Sequence, residues 1–581
     1  MSKHNLFNTN AQEHSDVVFT HGGEFRRSGD SWTSYDHGQT TIPIPHTGKW
    51  YQEFTHVNQR PNDPPSIQVG IGQIGTPAKG YNLHDLRGYG IAKGTANSQY
   101  YRNSKTGQPA VTGAWTGVTG TTALGGVYMI AYDADAGKIW YGYNGTWLGS
   151  GDPAAGTNEG HSGIDNYWTW VFCAGRSTND AGRWATMAVN PVPVYTPPTG
   201  FKTLTMDNIT DTQGAIFNPQ TTPNNASGYF KAITYTGSGD GNTNSVNVGF
   251  QPDLVLLKSR TQQYSWHLFD SLRGDNAYMN IDADASTEAS LTGGNSFSFT
   301  STGFDLTSSG GSALNESGQG SDNMMGYCWK IGGTSQVLTT GDIDTTVLAN
   351  QDTGMSICRW SGNATPSNIP HGLSRKPDCV FVKNRDATTV FVMGGKVINH
   401  EREQASLAGP ANSYIALSTE LGSSTDSGGF TGFTDEFVQL GSGTTWNGSG
   451  TSNMMMYCWH SVPGYSQIGW YYSGPSGANG PFINCGFEPA MVLIKGLTTG
   501  RVWFSLDNER TSYLNPRNNR ARWATNSTDA VTSLLDVDFL SNGFKIRGQD
   551  GAINTTQEYY WYMAFAKDAA KYGNAVAMTN E

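Results

Sequence analysis

Few residues of this 581-residue chain stand at spacings that suit covalent chemistry. A nucleophile elbow needs Gly-x-Ser-x-Gly and a phosphate cradle needs Gly-x-x-x-x-Gly-Lys-Ser/Thr, and neither string occurs. The nearest glycine-rich string, Gly88-Tyr-Gly-Ile-Ala-Lys-Gly94, has the wrong spacing and reads as strand and turn. His400-Glu401 opens like a metalloprotease helix but continues Arg-Glu-Gln, without the second His one turn on. Asp133-Ala-Asp135-Ala-Gly137 opens like a calcium loop, yet a third ligand and the closing Glu are missing, and Asn144 stands at the twelfth position. Asp and Gly are turn residues, so a plain hairpin is expected, with no metal site and no cofactor. What remains is binding chemistry. Trp32 and Tyr35 in GDSWTSYDHG, Trp115 in TGAWTGVTG and Trp446 in GSGTTWNGSG place an aromatic ring among small polar residues. Such a ring, flanked by hydrogen-bonding groups, suits the apolar face and the hydroxyls of a sugar. Each also has a second reading, folded back onto its own sandwich, which is the commoner fate of an aromatic. A spatial pair of carboxylates would be needed for glycoside hydrolysis. No acidic cluster stands beside an aromatic platform, and the chain reads as a non-enzyme.

The elements that position these residues are short strands. The chain holds 73 Gly, 12% aromatic and only 14% charged residues, and Gly punctuates aromatic and β-branched runs throughout. That grammar predicts all-β sandwiches with few helices. Aromatics at this density bury too much apolar surface for a disordered chain. A net charge of -11, without a basic stripe, disfavours nucleic acid. Cys173, Cys328, Cys358, Cys379, Cys458 and Cys485 stand singly, mostly in apolar runs, and are expected as buried thiols made in a reducing cytoplasm. No apolar leader opens the sequence and no run suits a membrane span, so membrane insertion is not expected.

Three segments repeat one pattern: GFQPDLVLLK, GLSRKPDCVFVK and GFEPAMVLIK. Aligned on Pro252, Pro377 and Pro489, a Gly precedes by 15 positions (Gly237, Gly362, Gly474), and a Val follows by 3 (Val255, Val380, Val492). A Lys follows by 6 (Lys258, Lys383, Lys495) and an aromatic by 14 (Trp266, Phe391, Trp503). Each copy then has a Gly-Phe pair (Gly303-Phe304, Gly432-Phe433, Gly543-Phe544) and closes on NMMGYCW, NMMMYCW or WYMAFAK. The period is that of a domain rather than a solenoid turn. Two departures stand out. The Asp-x-x-Arg of the first and third copies (Asp270 and Arg273, Asp507 and Arg510) is Gly395 and Ile398 in the second, and the third copy closes without Cys-Trp. An ion pair bracing a turn is the expected role of Asp-x-x-Arg. The expected order is a polar tail over 1–14, a β-sandwich over 15–197, a linker over 198–227, repeats over 228–350, 351–465 and 466–572, and a tail over 573–581.

GKWYQEF, VGIG, GYGIAKG, YDADAGKIWYGYNGTWLGSGDPAAGT and VYTPPTGFKTL resemble the SPRY-type, concanavalin-like module of phage tail-fibre and other virion proteins. The repeats, through TYTGSGDG, VGFQPDLVLLKSR and YCWK, resemble a β-rich domain of unknown function that follows this module in virion proteins of marine phages. The resemblance implies a concanavalin-like sandwich followed by three related β-rich domains in a virion structural protein. A tail-fibre or receptor-binding role is expected first, with other virion proteins and host surface polysaccharide as partners and a homotrimer as the assembly. A capsid decoration or head-fibre protein is the alternative, and a polysaccharide depolymerase the third. Localisation is then the virion, reached by lysis.

Overall fold

The computed structural model describes residues 18–20, 25–27, 36–59, 67–73, 88–93, 98–101, 123–164, 170–176, 185–205, 208–209, 228–239, 241–260, 264–282, 287–309, 314–315, 323–395, 413–417, 424–473, 480–497, 503–510, 520–522, 537–547, 551–555 and 558–567. The fold is all-β. Two sheets form the first unit. One runs in the order Val18–Thr20, Phe25–Arg27, Ala185–Asn190, Lys49–Gln59, Val127–Asp133, Lys138–Tyr143, Thr146–Trp147. The other runs Asp36–Gln39, Trp170–Arg176, Ile67–Gln73, Gly88–Lys93, Ser98–Tyr101. Period-2 alternation sends Phe54, Ile130 and Tyr132 to the buried core that also holds Val69, Ile71 and Phe172. The opposite face of the first sheet is apolar as well, with Tyr51, Met129, Ala131 and Trp140.

That second face is covered by the proline-rich exit segment. Phe201 seats against Trp140 with ring centroids 6.1 Å apart, and Tyr195 packs beside it. The buried carboxylate of Glu53 fastens the segment. It accepts from the Val194 amide at 2.7 Å, the Tyr195 amide at 2.9 Å, Asn190 Nδ2 at 3.1 Å and the Tyr51 hydroxyl at 2.5 Å. Lys202–Thr203 then pairs in parallel with Trp50 and Tyr51. The prolines read from sequence as a break are thus an arm laid across the sandwich.

Beyond the arm, one topology occurs three times. In each repeat the first strand pairs with the last, the last with the strand after the repeated Pro, and that strand with the aromatic one. In repeat 1 these are Phe230–Thr236, Asn323–Trp329, Leu254–Ser259 and His267–Asp270. In repeat 2 they are Met355–Ser361, Asn453–Trp459, Cys379–Asn384 and Val392–Gly394, and in repeat 3 Ser466–Tyr472, Tyr559–Ala566, Pro489–Gly496 and Trp503–Asp507. A three-stranded sheet accompanies each large sheet. Its centre strand is Gly303–Thr307, Phe437–Leu440 or Gly543–Ile546. Here the sequence alignment needs correction: in repeat 2 the residues matching Gly303-Phe304 are Phe437-Val438, since Ile369 pairs with Val438 as Val246 pairs with Phe304. Gly432-Phe433 lies on the outer strand, because two extra residues separate Ile369 from Pro377.

The boundary at 350 also moves. Gln336–Leu338 and Thr345–Asn350 form a hairpin that extends the sheet of repeat 2 through Thr346 opposite Arg359, and Val347 is buried in that repeat's core. Residues 336–350 therefore belong with repeat 2.

Val255, Val380 and Val492 are all fully buried, as are Trp266, Phe391 and Trp503 to within 1%. The repeated Lys is buried too, which its place at a strand end did not foretell. Lys258 donates to Tyr264 O, and Lys383 Nζ meets Ala387 O and Thr389 Oγ1, both at 3.2 Å, and Thr389 O. Lys495 Nζ stands 5.9 Å from the centre of the Trp503 ring. The Lys258 and Lys383 ammoniums thus tie down the segment that leads to the aromatic strand, their donors matched by acceptors because a buried charge would otherwise be costly.

Truncating Val492 to Ala should lower the unfolding free energy by about 1–3 kcal/mol through lost burial and a residual cavity. Denaturant melts of the full chain check this, and an unchanged midpoint would remove Val492 from the core.

Candidate functional site

Trp446, expected as an exposed platform, is 1% exposed. It stands on the short helical turn Thr444–Asn447, its ring edge-on to Tyr414 and Phe430 at 4.9 Å each and its Nε1 donating to Asp426 at 3.0 Å. Gly443 and Gly429 pass so close that a Cβ on either would touch the indole. The loop glycines make room for a core plug, so Trp446 is not a ligand platform. Trp32, Tyr35 and Trp115 lie outside the described residues, as do His400 and Glu401. The Asp133 to Gly137 segment is the turn between two strands: Asp133 accepts from the Ala136 amide and pairs with Lys49 at 3.0 Å, while Asp135 accepts from the Gly48 amide.

The polar groups of the repeats converge elsewhere. Each large sheet has two apolar faces. In repeat 1, Val255, Leu257 and Cys328 face the small sheet with Phe297 and Phe304, while Leu254, Leu256, Tyr327 and Trp329 join a core shared with the other repeats. Repeat 2 divides in the same way, with Val380, Val382 and Cys458 on one face and Cys379, Phe381 and Tyr457 on the other. In the shared core Phe565 of repeat 3 stacks on Phe230 of repeat 1 at 4.7 Å and lies 5.6 Å from Trp329. Three seams result.

The seam between repeats 2 and 1 is polar. The Tyr457 hydroxyl donates to Asp270 Oδ2 at 2.7 Å, and Asp270 also receives the Arg273 amide and Nε. Arg385 reaches across in a fork, Nε to Glu288 Oε2 at 2.6 Å and Nη2 to Oε1 at 2.8 Å, with Arg273 Nη1 3.4 Å from the same carboxylate. Burial works against the charge on Glu288, but the two guanidiniums hold its pKa below the ordinary value. Burial, then the neighbouring Asp270, raises that of Tyr457.

The seam between repeats 1 and 3 repeats the design. Tyr327 donates to Asp507 Oδ2 at 2.9 Å, Arg510 Nε to the same oxygen at 2.6 Å, and Arg510 Nη2 lies 3.4 Å from the Tyr327 hydroxyl. Arg260, eight residues after its repeat Pro as Arg385 is after its own, is pulled below its ordinary pKa by burial and by Arg510. The Asp-x-x-Arg pairs expected to brace a turn are buried. Asp270 and Arg273 are both 0% exposed by side chain, and Asp507 and Arg510 no more than 2%.

At the described positions of repeats 3 and 2 that correspond to them, these groups are replaced. Tyr327 and Tyr457 correspond to Met563, Arg260 and Arg385 to Leu497, and Asp270 and Asp507 to Gly395. Gly395 has φ +133°, and a Cβ there would come within 2.3 Å of Asp378 O. Repeat 2 thus lacks the Asp-x-x-Arg side of the design, and repeat 3 lacks its Tyr and Arg side. Both partners are missing together, so neither leaves a buried charge unpaired. Sequence reasoning noted the missing Asp-x-x-Arg of repeat 2 but not the matching loss of Tyr and Arg in repeat 3.

This repeated and interlocked region decides the family. Residues 225–569 match the family described as a domain of unknown function, DUF7483. The chain belongs to it. One DUF7483 match spans all three related β-rich repeats. No curated protein matches the chain. Among solved structures, the human HERC1 SPRY domain is similar at 14% identity and TM-score 0.24, over 32% of this chain and 99% of that one. The Drosophila melanogaster Neuralized NEUZ (NHR) domain is similar at 13% and 0.20, over 34% and 93%. Winged bean acidic lectin, complexed with methyl-alpha-D-galactose, is similar at 12% and 0.17, over 32% and 97%.

The seams give two predictions. Asp507→Asn leaves the buried Arg510 without its counter-charge and should cost about 3–5 kcal/mol. Tyr327→Phe, which spares that ion pair, should cost about 0.5–1.5 kcal/mol. Denaturant melts distinguish them, and equal effects would refute the ion pair as the stronger element.

The second prediction concerns acid. His267, His371 and His460 are at most 8% exposed, and burial brings each down to about 4. Unfolded, each binds a proton near pH 6.5, so the stability they contribute is present above that value and lost as pH falls toward 4. The slope should approach about 1.4 kcal/mol per pH unit for each histidine. Melts at pH 7.5, 5.5 and 4.5 check this, and a flat profile would place these imidazoles in water.

Proposed function

We propose that the chain is a non-enzymatic structural protein of a bacteriophage particle, a tail-fibre or receptor-binding protein. Its DUF7483 body holds the N-terminal sandwich toward host surface polysaccharide. The observation that carries the reading is the use made of the repeats' charged groups. Asp270, Arg273, Glu288, Arg385, Asp507 and Arg510 are committed to bonds within and between repeats. A catalytic acid must exchange protons with a substrate, whereas a carboxylate locked under a guanidinium stays charged and serves architecture. The sandwich supports the same reading, since its arm seals one face and its exit is fixed by Glu53. Binding falls to the aromatic loops of the sandwich, with Trp32, Tyr35 and Trp115 as its candidates.

Purified protein should bind host cells and compete with adsorption of the phage that carries it. Trp32→Ala or Trp115→Ala should weaken binding by about 2 kcal/mol, roughly thirtyfold, at unchanged melting midpoint. Binding to stripped capsids but not to cells would replace this reading with capsid decoration. Release of reducing sugar from host polysaccharide would overturn the non-enzymatic role.

A further inference from the structure

The three seams are not equivalent in how the chain ties them. Repeats 2 and 3 are joined by residues 460–465. Of these His460, Ser461, Gly464 and Tyr465 are buried. The Ser461 amide donates to Asp378 at 2.7 Å, Val462 bridges to Ser466, and the Ile468 amide donates to Ser461 Oγ at 2.9 Å. This pair has the apolar seam and a link that is part of the core. Repeat 1 is attached differently. Its link to repeat 2 is pinned at Ile331 and Gly332, whose amides donate to Asp253 at 2.8 and 2.7 Å. The link then runs exposed from Gly333 to Val337. Gly332 and Gly333 both have positive φ, at +75° and +83°. Among the described residues the polar seams are seams of repeat 1. It holds the acceptors Asp270 and Glu288 toward repeat 2 and the donor Tyr327 toward repeat 3.

We propose that repeat 1 is an exchangeable unit: it leaves both polar seams by pivoting at Gly332-Gly333 and docks on the repeat 2 and 3 pair of a second copy of this chain, giving a reciprocal domain-swapped dimer. The surfaces that meet in the dimer are those that meet in the closed chain, so no new complementarity is needed. Repeats 2 and 3 stay together because their seam and link are buried as one piece. Polar seams suit such exchange because buried hydrogen-bonded charges fix the register of docking, and the link between the pinned Gly332 and the strand that starts at Gln336 is short, as in hinges that favour swapping. The dimer would carry two N-terminal sandwiches, each joined through its own arm.

The Arg385–Glu288 fork tests this, because its two residues lie in different repeats. Full-length Glu288→Arg and full-length Arg385→Glu each set like charges against one another at the closed seam. In a swapped heterodimer both seams are opposite in charge again, one through the two substituted positions and one through the two native residues. Co-expressed and analysed by light scattering and native mass spectrometry, the pair should give a heterodimer fraction about tenfold or more above the dimer of either variant alone. If each variant is unfolded alone, recovery of folded heterodimer on co-expression is the expected result. Monomers only, or two chains that remain unfolded together, would overturn the proposal. Deleting Gly333, Thr334 and Ser335 removes about 10 Å of reach and should shift the otherwise native chain from monomer to dimer. A deletion variant that folds as a monomer would also overturn it.

Discussion

Each large sheet of the DUF7483 body must bury two faces, and its own small sheet can cover only one. Leu254, Leu256, Tyr327 and Trp329 point away from the small sheet of repeat 1, and Cys379, Phe381 and Tyr457 do the same in repeat 2. At about 25 cal/mol per Å² of apolar surface, leaving such a face wet would forgo a large share of the burial that stabilises a repeat. The repeats therefore close on one another, and the family unit is the set of three rather than any single copy. Connections follow the same need. Asp253 and Asp378, each one residue after the repeat Pro, receive the amides that lead out of repeats 1 and 2, while the third copy, at the end of the set, has Ala490 there.

The seams show two solutions to joining apolar faces. A buried ion network gains little over well-packed apolar residues, because desolvation offsets most of its Coulomb attraction. It does impose one register, since a shift would part Tyr457 from Asp270, Arg385 from Glu288 and Tyr327 from Asp507. Where residues 460–465 already set the relation of repeats 2 and 3, the corresponding positions hold Met563, Leu497 and Gly395, without charges. Where repeat 1 meets its neighbours through a looser link, or through none, the charges are present.

The strand grammar was legible because it is local: Val255, Val380 and Val492 stand at a fixed distance from a Pro, and the Lys138–Tyr143 hairpin is written in consecutive residues. The site was not. Tyr457 and Asp270 are 187 positions apart, and nothing in either neighbourhood names the other. A clue was present in the paired departures of repeats 2 and 3, which become informative only when the copies are compared by seam instead of by copy. Trp446 failed for another reason. Gly, Ser, Thr and Asn around an aromatic are the composition of a presented platform and equally of a loop that must let a large ring inside, and the choice is made by Phe430 and Tyr414, far along the chain.

The arm over the first sandwich also bears on how the molecule carries load. Tension along the chain after residue 203 arrives at Lys202–Thr203, which lies parallel to Trp50–Tyr51 in mid-sheet. Hydrogen bonds that cross the line of pull are strained together, whereas a strand lifted from its end loses them one at a time. Behind that pair, Glu53 grips the amides of Val194 and Tyr195, so force is passed to the broad central strand Lys49–Gln59 before it can reach Ala185–Asn190. The seam between arm and sheet is thus a strain relief, and Glu53 is its anchor bolt.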